Sequence, residues 1–374
     1  MNTSEKKKAH GGVKSRSVRS IARCIAAAIL VSSLSACAAL GPKTIGWNRT
    51  DYNQALQKTD AQQLILNIVR QRYADPVMFL DVTSISNSVS RDANFSLGAA
   101  FQRFVFDSAS MGAGGSIAEN PIVFYAPNTG ESFVKKILTP IDVRTISLLL
   151  QSGWSIERVL MVAGDSINGF RNATTARDSK GQIAWQDYRD LVRALRDLQR
   201  DGLLAVGTES GKDGVDSLVL MPAAAAANAP AYLKVCDMLK IPCDGGPMRL
   251  YIGIGAPAVG GGQIVLATRS LYAAFYYLSD GVDVPAADLQ KGYVKARETA
   301  GGPFDRASGD LFKLQVSSAE PPDEVTKVHY RDAWFFIADN DTDTKTTFGL
   351  LSIILMLEGT DTVRASPLVS VSPR

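Results

Sequence analysis

The chain has 374 residues, with 40 Lys and Arg against 37 Asp and Glu and 46% hydrophobic residues, enough for one large or two ordinary domains with real cores. Seven of the 40 basic side chains, and only Glu5 among the acids, fall in residues 1–36, so the remainder carries 33 basic against 36 acidic groups. That balance argues against a nucleic-acid partner, which needs clustered Lys and Arg to neutralise phosphates.

The first predicted element is an export signal. Lys6, Lys7, Lys8, Lys14, Arg16, Arg19 and Arg23 precede the run Ile25–Leu34, which is apolar apart from Ser32 and Ser33. As a helix this run covers about 15 Å, half of a hydrocarbon core, and is too short to span it. An apolar stretch of that length followed by small residues is the pattern of a cleaved signal. The residues that follow, Leu34-Ser35-Ala36-Cys37, resemble the lipobox of bacterial lipoproteins. The resemblance implies that diacylglycerol alkylates the Cys37 sulfur, that the chain is cut after Ala36, and that the new amino group is acylated. Ala38 in place of Asp implies, by the sorting rule of that family, transfer to the outer membrane. Two or three acyl chains hold a protein in a bilayer far more durably than one. The chain then divides into a signal peptide at 1–36, a short tether at 37–48 containing Gly41-Pro42 and Gly46, and a folded body close to the membrane.

In the body, "TDAQQLILNIVRQRY" predicts a helix opened by a capping box, with Thr59 as cap, Gln62 three residues on, and Leu64, Ile65, Ile68 and Val69 on one face. From Val77 to Tyr125 the pattern becomes β-branched and aromatic, and "VMFLDVTSI", "FSLGAAFQRFVF" and "PIVFY" read as strands separated by Ser, Asn and Gly clusters. "GESFVKKIL" and "IDVRTISLLLQSG" predict helices, the second stopped near Gly153. Residues 187–202 predict an amphipathic helix with Leu191, Val192, Leu195 and Leu198 as its stripe and Gly202 at its end. A hairpin of "LLAVGT" and "SLVLM" follows, an order similar to the helix and wing of winged-helix DNA binders, although an exported chain with a balanced Asp/Arg face favours a solvated helix.

"PAAAAANAPA", residues 222–231, is the expected boundary between a first α/β lobe at 49–222 and a second at 231–374. Cys236 and Cys243 flank six residues and are expected to form a disulfide in an oxidising compartment, the alternative being two free thiols. "RLYIGIG" and "QIVLAT" read as strands joined by a hairpin loop "APAVGGG", followed by the aromatic helix "RSLYAAFYYLSDG". A C-terminal hairpin pairs "TKVHY" with "AWFFI" around Arg331-Asp332. The final helix "TTFGLLSIILMLEG" is apolar on nearly all sides and is expected at the centre of a core. The fold class expected is α+β, with mixed helices and mostly antiparallel sheet.

Candidate sites are few. Gly164-Asp165-Ser166 after an apolar run resembles the nucleophile block of the GDSL esterases, and Ser166 is the one nameable nucleophile. Such an enzyme needs an imidazole and an orienting carboxylate; His329 is the only base available, and Thr326 stands where that family carries Asp. Gly253-x-Gly255 fails as a dinucleotide fingerprint, because no helix can open across Pro257 and three glycines. Asp339, Asp341 and Asp343 have the spacing of calcium ligands but lack the Gly and Glu of an EF-hand, and are expected to cap the last helix. Tyr272, Phe275, Tyr276 and Tyr277 with Trp334, Phe335 and Phe336 make either a ligand platform or a core. Asp323-Glu324, and Asp237 with Asp244, have no spacing that sets them across a cleft.

The stretches "DYNQALQKTDAQQLILNIVRQRYADP" and "YRDAWFFIADNDTDTKTTFGLL" also resemble proteobacterial outer-membrane lipoproteins, a likeness that brings no activity with it. The function expected is that of an exported, lipid-anchored protein, placed at the outer membrane facing the periplasm, that binds or scaffolds a protein of the envelope. A GDSL-like serine hydrolase, or a carrier of a hydrophobic ligand, is the alternative; neither a metal nor a cofactor is expected.

Overall fold

The computed structural model describes residues 40–102, 105–172, 181–210, 216–253, 264–295 and 311–358; within these, the side chains of 40–48, 86–121 and 181–184 are not described. Its contacts separate two units, Met1–Ala61 and Gln62–Arg374. Helix α1, Leu40–Arg72, has its first part in the former. The helix therefore does not start at Thr59: the Thr59 hydroxyl donates to the carbonyls of Ala55 and Leu56, both at 3.0 Å, from inside the helix. Neither Gly nor Pro stands between Trp47 and Arg72 to break it, and Pro42 lies in the first turn, where its missing N–H costs nothing. Residues 40–48, expected as tether, are helical.

The larger unit is an α+β fold. Strands β1 (Leu80–Gln102) and β2 (Val105–Pro127) form a two-stranded antiparallel hairpin, and helices α2 (Glu131–Leu138), α3 (Val143–Gln151) and α4 (Ile156–Ala163) follow it. Asp142 and Ser155 cap α3 and α4 with their side chains, and Gly153, at φ +96°, makes the left-handed turn between them. Strands β3 (Gly164–Ile167) and β4 (Phe170–Arg171), helix α5 (Gly181–Arg200), and strands β5 (Leu204–Ser210), β6 (Asp216–Pro222), β7 (Met248–Ile252) and β8 (Ile264–Thr268) build a six-stranded sheet of order β4-β3-β8-β7-β6-β5. Helix α5 touches both edge strands of that sheet, β4 and β5. Its 20 residues reach about 30 Å, enough to cross five strand spacings of about 4.8 Å.

One pairing departs from expectation. Strands β7 and β8 run parallel, so the segment between them is a crossover and not a hairpin loop; its residues 254–263 lie outside the described ones. Parallel neighbours cannot be joined by a tight turn. The pair β5–β6 likewise does not stand free as a wing, because β6 continues into β7. That pairing crosses the alanine segment, which forms a 3-10 turn (Ala224–Asn228) and leads into α6 (Pro230–Leu239) with Pro230 in its first turn. A single core holds side chains from both sides of the segment, among them Leu218 and Leu250, so it does not divide two sheets or two cores.

Beyond the sheet come α7 (Leu271–Ser279), α8 (Ala286–Gln290), a three-stranded antiparallel sheet of order β10-β11-β9, with β9 at Gln315–Ser317, β10 at Lys327–Tyr330 and β11 at Ala333–Phe336, and α9 (Thr342–Glu358). Arg331, at φ +53°, takes the left-handed conformation that a two-residue turn between β10 and β11 demands. Helix α9 is not encircled by core: Thr344, Thr347, Leu350, Leu351 and Ile354 are buried on one side, while Met356 is 72% exposed. An all-round apolar sequence permits central burial but does not compel it, since exposed apolar residues are ordinary at a protein surface.

Candidate functional site

The Ser166 segment begins where α4 ends. Gly164 admits no side chain, because an added Cβ would sit 2.6 Å from the Leu160 carbonyl oxygen and closer still to the Tyr188 hydroxyl. The last carbonyls of a helix lack intrahelical partners, and three buried side chains take them. Tyr188 donates to Leu160 O (2.8 Å), Arg269 to Met161 O (2.8 Å), and Asn172 to Met161 O (2.8 Å) and Gly164 O (2.9 Å). A guanidinium there also opposes the negative end of the helix dipole. It lies 4.1 Å from the Tyr277 ring centre and 4.0 Å from the half-exposed Asp165 carboxylate. Burial pulls the Arg269 pKa down and pushes the phenols of Tyr188 and Tyr277 far up.

Ser166 lies opposite Arg171 and Ala267 in the sheet and lines a cleft of about 300 Å³ with Asp165, Arg171, Ile252 and Thr268. Among the described residues, its hydroxyl bonds to neither an imidazole nor a carboxylate. His329 is on β10, in the other sheet, exposed and with its ring 5.0 Å from that of Trp334. The Gly-Asp-Ser stretch is thus placed as the support of a helix end, with no proton relay assembled around it among the described residues.

The remaining candidates also have structural partners. Asp341 caps α9 by accepting from Thr344 N (2.9 Å), Asp343 pairs with Arg158 (2.6 Å), and Asp339 pairs with Lys345. Asp323 and Glu320 hold the buried Lys327 ammonium at 2.8 and 2.9 Å. Asp237 pairs with Lys240, and Asp244 accepts from Gly246 N. Of the aromatic set, Phe275, Tyr277 and Phe335 are core, with Phe275 against Phe79 and Phe335 against Tyr73, and Tyr272 is 40% exposed. Cys236 and Cys243 are joined, their Cα atoms 5.7 Å apart, a separation ordinary for a disulfide. Leu34, Ser35, Ala36 and Cys37 lie outside the described residues.

What the sequence reading passed over is the β1–β2 hairpin. Each strand has 23 residues, about 75 Å of chain, and the register runs without interruption from Ser84↔Phe124 to Ala100↔Ser108. The three strands read between Val77 and Tyr125 are parts of this one ribbon. Ser84, Ser86, Ser88, Ser90, Asn94 and Ser96 fall at alternate positions of β1 and fit a pleat with one polar face, Asn87 alone standing on the other. Among the described strands, neither β1 nor β2 pairs with any other, so both outer edges lack a neighbour.

The root of the ribbon is held firmly. The fully buried Asn67 side chain donates to Met78 O (2.8 Å) and accepts from Met78 N (3.0 Å), and Gln63 accepts from Leu80 N (2.6 Å). Phe79, between them, is buried with its ring 5.5 Å from Phe133 and 5.6 Å from Phe275. Nearby, the Arg331 guanidinium sits 4.8 and 5.0 Å from the rings of Tyr73 and Tyr293 and 3.3 Å from Asp75, while Tyr73 donates to Asp288 (2.6 Å) and Tyr330 to Asp75. Met78, Leu80, Ile122, Phe124 and Tyr125 are all exposed at the start of the ribbon. No protein-family model, curated protein or solved structure matches this chain.

Proposed function

We propose that this protein is a lipoprotein of the cell envelope, anchored in the outer membrane through acylated Cys37 and facing the periplasm, that binds or scaffolds another envelope component. The anchor reading is supported by the basic lead, the ten-residue apolar run and Leu34-Ser35-Ala36-Cys37 in succession. One observation carries the binding role: a pair of 23-residue strands whose outer edges meet no other described strand. Such an edge offers a row of main-chain donors and acceptors to a second chain. Ser166 and His329, the pair a hydrolase would need, lie in different sheets, which favours binding over hydrolysis.

Labelled palmitate and a photoreactive residue at Ser86 on β1 test the two parts. Wild type is expected to take up palmitate and stay in washed membranes, whereas Cys37→Ala does neither. The photoreactive variant is expected to form a covalent adduct in intact cells. Absence of palmitate uptake overturns the anchor, and recovery of free monomer alone overturns the binding role.

A further inference from the structure

We infer that the β1–β2 hairpin is a membrane-spanning element, and that hairpins from several copies of this chain pair edge to edge and close into a transmembrane β-barrel. The inference deepens the binding role proposed above, rests on its envelope address, and names the partner as further copies of this chain.

Alternation comes first. Alternate residues of a strand share a face, so the register groups Ala93↔Gly115, Phe95↔Ala113, Leu97↔Met111 and Ala99↔Ala109 on one face. The other face carries Asn94↔Gly114, Ser96↔Gly112, Gly98↔Ser110 and Ala100↔Ser108. One face is therefore apolar, and the other is small and polar. A strand with lipid on one side and a watery lumen on the other has this pattern.

Length agrees. Residues Ala93–Gln102 of β1 and Ser108–Ala118 of β2 are runs of ten and eleven without a charged residue, bracketed by Arg91, Asp92 and Glu119 on one side and Asp107 on the other. A membrane-crossing strand needs about 9–11 residues. Ten residues extend about 34 Å, and a tilt of about 40° turns that into some 26 Å of height, matching the apolar band of known barrels. Among the described residues no helix is long and apolar enough to cross a membrane.

The free edges then settle the stoichiometry in kind. An isolated two-stranded ribbon is marginal in water, and in hydrocarbon an open edge leaves main-chain groups without partners at several kcal/mol each. Closure removes every edge, and one copy brings only two strands. Barrels of this class have about eight strands or more, so roughly four or more copies are required. A soluble partner strand would satisfy the edges but leave the apolar face in water, which is why the bilayer is the occupant of that face.

The test uses the full acylated protein, extracted in detergent and reconstituted in a planar bilayer, with Leu97→Arg and Ala113→Arg on the apolar face and Ser96→Arg and Gly112→Arg on the polar face. Wild type is expected to run as an oligomer and to conduct ions. The apolar-face variants should lose conducting events by at least about thirtyfold, the effect of a cation on the lipid face, while the polar-face variants keep conducting and become more anion-selective. An unchanged thermal transition of the body in all four shows that folding is not the cause. A wild type that takes up palmitate yet stays monomeric and silent overturns the barrel and leaves the anchor standing. Conduction that falls equally for both faces overturns the face assignment, and conduction without palmitate uptake would instead overturn the anchor.

Discussion

Asn67 and Met78 face each other through two hydrogen bonds, the side-chain amide of the helix residue giving one to the main chain and taking one from it. A fully buried Asn in the middle of an apolar helix face is thereby explained: it fixes the direction in which the ribbon leaves the body. Replacing it by Ala strips a donor and an acceptor from the Met78 peptide groups at once. Asn67→Ala is expected to lower stability by about 1 to 3 kcal/mol, read as a lower urea midpoint with an unchanged slope. Protease cleavage should increase near Leu80, where Gln63 and the buried Phe79 would still hold the strand.

The disulfide is expected to matter for stability and not for assembly. It closes a loop of six intervening residues from the last turn of α6 to the segment before β7, worth roughly 2 to 3 kcal/mol in the chain-entropy description. Cys236→Ser with Cys243→Ser should lower the melting temperature by several degrees and abolish the difference between reduced and oxidised samples. An unchanged melting temperature would contradict the bridge.

Alkaline pH should unfold the body through its tyrosines. Burial raises the phenols of Tyr188 and Tyr277, and burial aided by the Asp288 hydrogen bond raises Tyr73. In the unfolded chain these groups ionise near pH 10 while the folded protein keeps their protons, so it binds more protons than the unfolded state above that pH. Their contribution is therefore constant below about pH 9 and lost as pH rises through 10 and beyond. Phenolate absorbance should develop late, together with unfolding, and Tyr277→Phe should flatten the alkaline loss of stability. A free titration of every tyrosine near pH 10 in the folded protein would contradict this.

Ser166 is expected to be unreactive. A fluorophosphonate probe should label neither wild type nor Ser166→Ala, because His329, the base a hydrolase would need, lies in a different sheet from Ser166. Labelling that depends on Ser166 would restore the hydrolase reading.

Elements with a clear period and end signals were legible in the sequence. The stripe Leu191, Val192, Leu195 and Leu198 and the stop at Gly202 mark α5, and Asp341 caps α9 as its position suggests. Long-range pairing was not. Nothing local in "RLYIGIG" and "QIVLAT" tells a parallel neighbour from an antiparallel one, and glycine clusters suit a crossover as well as a turn. The ribbon was misread because Ser and Asn signal turns when clustered but a polar face when they alternate. Asn67, Arg269 and Asn172 went unnoticed because a polar residue within an apolar run announces itself only when the group it satisfies is in view.

Accessibility of introduced thiols along the ribbon, measured in intact membranes, tests the central claim most directly. Cys236 is bonded to Cys243, and under the proposed cleavage and acylation Cys24 is removed and Cys37 is blocked, so the maleimide reads the introduced cysteine. Single cysteines at each position from Ala93 to Ala99 should react with a water-soluble maleimide in strict alternation, Asn94, Ser96 and Gly98 fast and Ala93, Phe95, Leu97 and Ala99 slow. Uniform fast reaction along the whole segment would place the ribbon in water and contradict the account.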